Sequence, residues 1–275
     1  MDERDLIRIA TEYVETGKEN YISKEMAISE NLVGLRIFKP SIFAFGNPDD
    51  HDYHTLKESS VIGKNHLYPK EWMPQTKTVI SFFLPFSQEV IASNNSIEKW
   101  PSSEWLHGRI EGQMFINRFI KHLIKEIEEQ TGCASLSPSL DPRFAVQKES
   151  KINNVFYSSN WSERHVAYIC GLGTFGLSKG LITSKGMAGR LGSILTQQYF
   201  THSEKEYHDI YEYCSKCGAC IQKCPVCAIT MNEGKNHMIC SRFIDQIAEK
   251  YNPRYACGKC QVGVPCEQRI PKQKS

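Results

Sequence analysis

Cys214-Ser-Lys-Cys217-Gly-Ala-Cys220-Ile-Gln-Lys-Cys224-Pro225 is the stretch that decides how the rest of the chain is read. Two successive two-residue gaps let three thiolates converge from one tight loop onto three corners of an iron–sulfur cube. The fourth cysteine, three residues on and just before a proline, turns away and serves a second cube. A second cube needs ligands of its own, and Cys240, Cys257, Cys260 and Cys266 follow. Eight cysteines thus divide into two sets of four: Cys214, Cys217, Cys220 and Cys266 for one [4Fe–4S] cluster, Cys224, Cys240, Cys257 and Cys260 for the other. The second run is irregular, with Glu267 where a proline is usual, so spacing fixes the total of eight before it fixes the partners. Structural zinc also uses paired CxxC units, but it does not call for the third two-residue-spaced thiol or the Cys-Pro. Cys133, Cys170 and Cys227 read as ordinary small hydrophobes.

Outward from this module, the 275 residues carry 11 cysteines, nine of them between Cys214 and Cys266. The polar stretch Thr201–Tyr211 separates a core, 1–205, from the cysteine-rich part, 206–275. Apolar residues are 40% and charged residues 23% of the chain, a globular composition. The net charge of +2 is too balanced to predict nucleic-acid or membrane binding. No apolar run reaches the roughly 20 residues of a membrane span. The start, MDERDLIRIA, lacks the basic-then-apolar layout of a secretion signal, so a cytoplasmic location with reduced thiols is expected.

Within the core, Asp5–Val14 has helical spacing, Thr78–Leu84 reads as a buried strand, and a long helix is expected over about Ile110 to Gln130, closed by Gly132. A turn is expected at Pro69–Pro74 and a short strand at Cys133–Leu136. Helix and strand signals mix without regular βαβ alternation, which predicts an α+β fold. Gly171-Leu172-Gly173-Thr174-Phe175-Gly176 matches the GxGxxG dinucleotide fingerprint. Between His165 and Ser203, however, there is no Asp or Glu to hold a ribose, and the glycines after Gly176 spoil a helix. The stretch suits close approach of backbone amides to a large polar ligand, or else a tight glycine-cornered meander.

Together these residues resemble a family. Glu163-Arg164, Gly171-Leu-Gly173 with Gly176, Gly189-Arg190-Leu-Gly192-Ser193-Ile-Leu-Thr196 and the ferredoxin-type cysteine run are similar to the cobalamin-dependent epoxyqueuosine reductases, relatives of the reductive dehalogenases. Tyr68-Pro69, Met73-Pro74 and Lys77–Pro85 extend the likeness upstream. The resemblance implies a nitroreductase-like cobalamin-binding core followed by a small two-cluster ferredoxin-like domain. It implies electron flow from an external ferredoxin- or flavodoxin-type donor through two clusters to a base-off cobalamin. Glu163, Arg164, Gly171, Leu172, Gly173, Thr174, Phe175, Gly176, Ser178, Gly189, Arg190, Gly192 and Ser193 are the positions it implies for contacting or framing the corrinoid.

Three departures from the family pattern bear on substrate. The Asp-Ser-Ala-Pro motif, whose Asp donates a proton, reads Ser135-Leu-Ser-Pro138 here. Gly-Lys-Asn reads Gly176-Leu177-Ser178, and the helical repeat tail that helps hold tRNA is not in this sequence. A small molecule or a modified base is therefore the expected substrate, with tRNA less favoured and no membrane partner. For the missing proton donor, Tyr157 is the first expectation and Asp141 the second, with His107 and Tyr168 as further candidates. An electron-transfer protein without corrinoid is the competing reading.

Overall fold

The computed structural model describes residues 1–151 and 154–272, excluding the side chains of 148–151 and 154–157. In chain order the elements begin with α1 (Glu3–Thr16), β1 (Ile42–Gly46) and the one-turn helices α2 (Asp52–Thr55) and α3 (Pro69–Trp72). Then come β2 (Thr78–Pro85), α4 (Gln88–Asn94), α5 (Ser103–Thr131), β3 (Ser135–Leu136) and the hairpin of β4 (Val146–Lys151) with β5 (Asn154–Ser159). Next are α6 (Glu163–Ile169), β6 (Gly173–Phe175), β7 (Leu181–Thr183) and β8 (Gly189–Thr196). The cysteine-rich part adds α7 (Ala219–Gln222), the small hairpin β9 (Ile229–Thr230) with β10 (Gly234–Lys235), and α8 (His237–Tyr251).

The central sheet runs β1-β2-β8-β3, every pairing antiparallel. All eight residues of β2 are buried, so both faces of the strand are covered. Ile80, Phe82 and Leu84 point to one apolar layer with Phe115, Phe119 and Leu123 of α5, backed by α1. Val79 and, across the sheet, Leu195 face the other layer, with Trp161, Val166 and Ile169 around α6. The alternation is the period-2 geometry of a strand, and each large side chain so buried contributes about 1.5–3 kcal/mol. The mixed helix-and-strand architecture expected from the sequence is present, built from small antiparallel sheets.

The long helix begins earlier than its periodicity predicts. Ser102 caps it, its side chain accepting from the Trp105 backbone N–H at 3.2 Å. The first turns are held by tertiary burial of Trp105 and Leu106. Its end is as expected: Gly132 takes the left-handed conformation, φ 69°, and its N–H bonds Glu128 O. The Pro69–Pro74 turn proves to be the single helical turn α3 with Pro69 at its first position. The short strand narrows to Ser135–Leu136. No helix among the described residues is long and apolar enough to cross a membrane.

Candidate functional site: two cysteine quartets and a cavity

The cysteine-rich part is built on a repeated loop. Cys217-Gly218-Ala-Cys220 and Cys257-Gly258-Lys-Cys260 each place the glycine in the left-handed region, at φ 78° and 66°. In each, the glycine carbonyl accepts a backbone N–H three residues on: Ile221 to Gly218 at 2.9 Å, Gln261 to Gly258 at 2.8 Å. A non-glycine residue pays strain in that conformation, so both CxxC turns need glycine between their thiols. Each turn runs straight into a short helix, α7 or the 3₁₀ turn Lys259–Gln261.

The thiols gather in two places. Cys214, Cys217, Cys220 and Cys266 line a small pocket of about 20 Å³, with Gly176, Ser178, Ile182 and Met187 on its other side. Cys224, Cys240, Cys257 and Cys260 line a second, much larger cavity of about 830 Å³. Burial pushes the Cys266 thiol up to about 12, and its neighbours Cys220, Cys214 and Cys217 push the same way. Burial likewise takes Cys257 to about 12, with Cys260, Cys240 and Cys224 adding to it. Cys220 rises to about 11 by burial, and among its charged neighbours Cys260 belongs to the other quartet, so the two groups adjoin. Crowded buried thiols resist ionising in the absence of a cation, and a bound one reverses that order. Among the described residues, no group of three or more His, Cys, Asp or Glu is placed to hold a single metal ion.

The larger cavity joins the second quartet to the core. Its wall includes Glu163 and Arg164 from α6, and Gly189, Arg190 and Gly192 from β8. A Cβ at Gly189 would fall 2.3 Å from Leu84 O, and one at Gly192 2.4 Å from the Phe82 ring, so these glycines allow β8 to lie close on β2. The α5 residues Trp105, Arg109, Gln113 and Asn117, spaced four apart, form one helical row along the cavity. Phe83, Phe86 and Tyr255 complete an aromatic side.

Glu163 is the one carboxyl on this lining among the described residues. Both its oxygens are buried without a hydrogen-bond partner. Burial raises its carboxyl to about 7, against the pull of nearby Ser193, Trp161 and Arg190. Trp161 and Ser193 spend their own hydrogen bond on each other, Nε1 to Oγ at 2.9 Å. Arg190 is lowered to about 9, first by burial and then by Arg109 and Arg164. Arg164 is accessible, and the cavity is the space it reaches, beside Cys240 and Cys260.

The GxGxxG stretch sits elsewhere. It follows a helix and opens a strand, the reverse of the strand-then-helix order that a dinucleotide site requires. Gly173, Thr174 and Phe175 pair with Leu181–Thr183, where a Cβ at Gly173 would meet Ile182 O at 2.0 Å. Thr174 Oγ1 accepts from the Tyr213 N–H at 2.8 Å, and the Phe175 N–H bonds Ile210 O at 2.7 Å. Gly171, buried Leu172 and this hairpin therefore brace the segment leading to Cys214, while Gly176 and Ser178 border the small pocket. None of Gly171 to Gly176 lines the larger cavity, nor does Ser193, whose hydroxyl is buried against Trp161.

Asp141 is bound to Arg143 through both oxygens, at 2.9 and 2.8 Å, and this hydrogen bonding holds its carboxyl below the usual value. A carboxylate held ionised is a poor proton donor. Tyr157 lies on β5 opposite Lys148, and its side chain falls outside the described residues. His107 is buried and satisfied, Nδ1 to Glu111 at 3.0 Å and Nε2 to the Ile28 N–H at 3.1 Å. Tyr168 packs on Phe175 and Tyr207, away from the cavity. The sequence reading missed Arg109, Gln113 and Tyr255. A row of long polar side chains at i, i+4, i+8 (Arg109, Gln113, Asn117), leading into the apolar stripe of the helix, is the signal that could have found the first two.

No protein-family model matches the chain, and no curated protein matches it in sequence. Solved structures do. An epoxyqueuosine reductase from Streptococcus thermophilus is 17% identical over 85% of this chain and 65% of its own, with a TM-score of 0.49. An epoxyqueuosine reductase solved with an epoxyqueuosine-modified tRNA-Tyr stem loop is 16% identical over 82% of this chain and 61% of its own, at 0.50. A reductive dehalogenase, described with a mechanism for B12-dependent dehalogenation, is 11% identical over 84% of this chain and 30% of its own, at 0.53. This chain spans less than two thirds of any of them. The resemblance read from the residues thus holds at the level of fold, to the tRNA-bound reductase and the dehalogenase.

Proposed function

We propose that this protein is a corrinoid-dependent reductase of the cytoplasm, with a corrinoid- and substrate-binding core over 1–205 and a two-cluster, ferredoxin-like part over 206–275. The core would be nitroreductase-like, as the resemblance implies. The observation that carries the reading is the cavity of about 830 Å³ in which Glu163, Arg164, Gly189, Arg190 and Gly192 share a wall with Cys224, Cys240, Cys257 and Cys260. Soft thiolate donors in fours suit iron–sulfur clusters, and the size and mixed polar and aromatic lining suit a bulky planar cofactor. Cys214, Cys217, Cys220 and Cys266 would hold one [4Fe–4S] cluster, and Cys224, Cys240, Cys257 and Cys260 the other.

When bound, the clusters would carry electrons and the cobalamin would supply low-valent cobalt chemistry, while the chain's own residues would orient and protonate. Arg164 places a positive charge next to Cys240 and Cys260, and beside Cys240 it opposes the rise that burial causes. Gly189 and Gly192 keep the β8 wall flat, because no side chain rises from either. The hairpin Gly173–Thr183 frames the site at a distance by fixing the approach to Cys214. Glu163, raised to about 7, can hold a proton at its carboxyl in neutral solution. Asp141 is spent on Arg143, which leaves Tyr157 as the donor expected from the sequence.

The electrons come from a ferredoxin- or flavodoxin-type donor. The substrate is a small molecule or a modified base. A tRNA substrate is the less favoured form, since Ser135–Pro138 brings no acid to the site and instead leads to Ser139 on the cavity wall. The test is anaerobic purification with cobalamin supplied, followed by iron, sulfide and cobalt analysis and an absorption spectrum. About eight irons per chain and one cobalt are expected for two four-iron clusters and one corrinoid. Full iron with no cobalt would leave an electron-transfer protein, and zinc in place of iron would end the redox reading.

A further inference from the structure

Three guanidinium groups, Arg109, Arg164 and Arg190, line the larger cavity. The arginine ion pairs among the described residues are made by Arg8, Arg143 and Arg254 instead. Arg164 faces the sulfurs of Cys240 and Cys260, which would be anionic as cluster ligands. The other two make no ion pair among the described residues. Arg109 Nη2 donates to the Tyr255 hydroxyl at 2.6 Å, and its guanidinium lies 4.6 Å from the centre of that ring. Arg190 Nη2 donates to the Gln113 carbonyl oxygen, while its Nε is buried with no partner at all. Both partners are neutral.

Glu163 is the one carboxyl on the same lining and acts weakly on Arg190, and burial raises that carboxyl to about 7. A cationic pair in a partly desolvated space, served only by neutral hydrogen-bond acceptors and with one donor left over, is stable mainly when an anion completes it. Arginine's fixed fork fits a planar carboxylate or a phosphate. Gln113, four residues after Arg109 on α5, fixes Arg190 in place, and Phe83, Phe86 and Trp105 offer an apolar surface alongside.

We propose that Arg109 and Arg190 form an anion subsite, so that the substrate carries a carboxylate or phosphate held against α5 with its apolar body on the aromatic side of the cavity. The inference rests on reading the cavity as the substrate chamber. The same chemistry has one other source, the nucleotide-loop phosphate of the corrinoid, and the test separates the two.

Cluster-loaded protein without corrinoid is titrated calorimetrically with benzoate and with its neutral isostere benzamide at constant ionic strength. Benzoate is expected to bind at least ten times more tightly. Arg109→Gln and Arg190→Gln should each remove that preference, and Arg190→Lys should restore part of it. If Arg190→Gln fails to fold, the half-buried Arg109 carries the test. Equal binding of the two probes by the unaltered protein overturns the proposal. In a second arm, uptake of cobalamin is compared with that of cobinamide, which lacks the nucleotide loop. Arg109→Gln is expected to leave both unchanged; loss of cobalamin uptake alone would assign the arginines to the corrinoid and overturn a substrate role. A protein that prefers benzoate but takes up neither corrinoid retains the subsite and loses the reductase reading.

Discussion

The two cysteine quartets share a backbone design and differ in what surrounds them. Cys214, Cys217, Cys220 and Cys266 close on a pocket of about 20 Å³ among Ile182, Met187 and Val264. Cys224, Cys240, Cys257 and Cys260 open onto about 830 Å³ lined by arginines, amides and aromatic rings. One quartet has room for an inorganic core and little else; the other has a chamber in front of it. On the proposed reading the same C-G-x-C turn would serve a relay in one place and a reaction site in the other, and the difference lies in the elements packed around it.

The largest way to break this comparison is to remove one thiol from each quartet. Cys257→Ser and Cys214→Ser should each cut iron from about eight to about four per chain. Only Cys257→Ser should also abolish cobalamin uptake, measured as cobalt per chain. Loss of cobalt in both would mean that the chamber does not belong to one quartet.

The paired glycines sharpen it. A Cβ at Gly258 would fall 2.0 Å from the Trp105 ring, whereas at Gly218 the nearest contact is 3.5 Å away. Gly258→Ala should cost about 4 kcal/mol, the left-handed strain plus overpacking, and Gly218→Ala about 1 kcal/mol from strain alone. Denaturant unfolding of the two variants under anaerobic conditions reads the difference.

The chamber's acid has a pH signature that the small pocket lacks. Glu163 rises from 4.5 to about 7 on folding, so between those values the folded state binds the extra proton. Stability is then full below about pH 4.5, falls as pH rises through 7, and stays lower by about 3 kcal/mol above it. Glu163→Gln should remove that slope, leaving stability near pH 4.5 unchanged and raising it at pH 8. Unfolding midpoints across this range check the sign. The smallest effect belongs to Asp141→Asn, which should change stability by no more than about 1 kcal/mol, because its pair with Arg143 lies at the surface. The same variant should leave reduction by the loaded enzyme unaltered; a large loss would return Asp141 to the chemistry.

The sequence shows most clearly what depends on local spacing. The buried strand Thr78–Pro85, the apolar stripe from Ile116 to Ile127 and the left-handed stop at Gly132 are each set by neighbours within a few residues. The count of eight cysteines was legible for the same reason, since two-residue gaps constrain one loop, whereas the grouping around the two cavities draws in Cys240 and Cys266 from farther along the chain. What was not legible depends on contacts far apart in the chain. Arg109 meets Tyr255 across 146 residues, and Arg190 meets Gln113 across 77. The glycines of Gly171–Gly176 spell a ligand motif, yet here they let a hairpin close on itself, because Thr174 and Phe175 are claimed by Tyr213 and Ile210. Burial of Glu163 without partners could not be foreseen from an acid at the first turn of a short helix.

The helix α5 changes role along its length. Toward its C-terminal half Phe119, Leu123 and Ile127 anchor the sheet, while Arg109, Gln113 and Asn117 nearer its start border the cavity. Exchanges at the second set would alter the cavity wall without loosening the core, so one helix lets the chamber and its foundation vary separately.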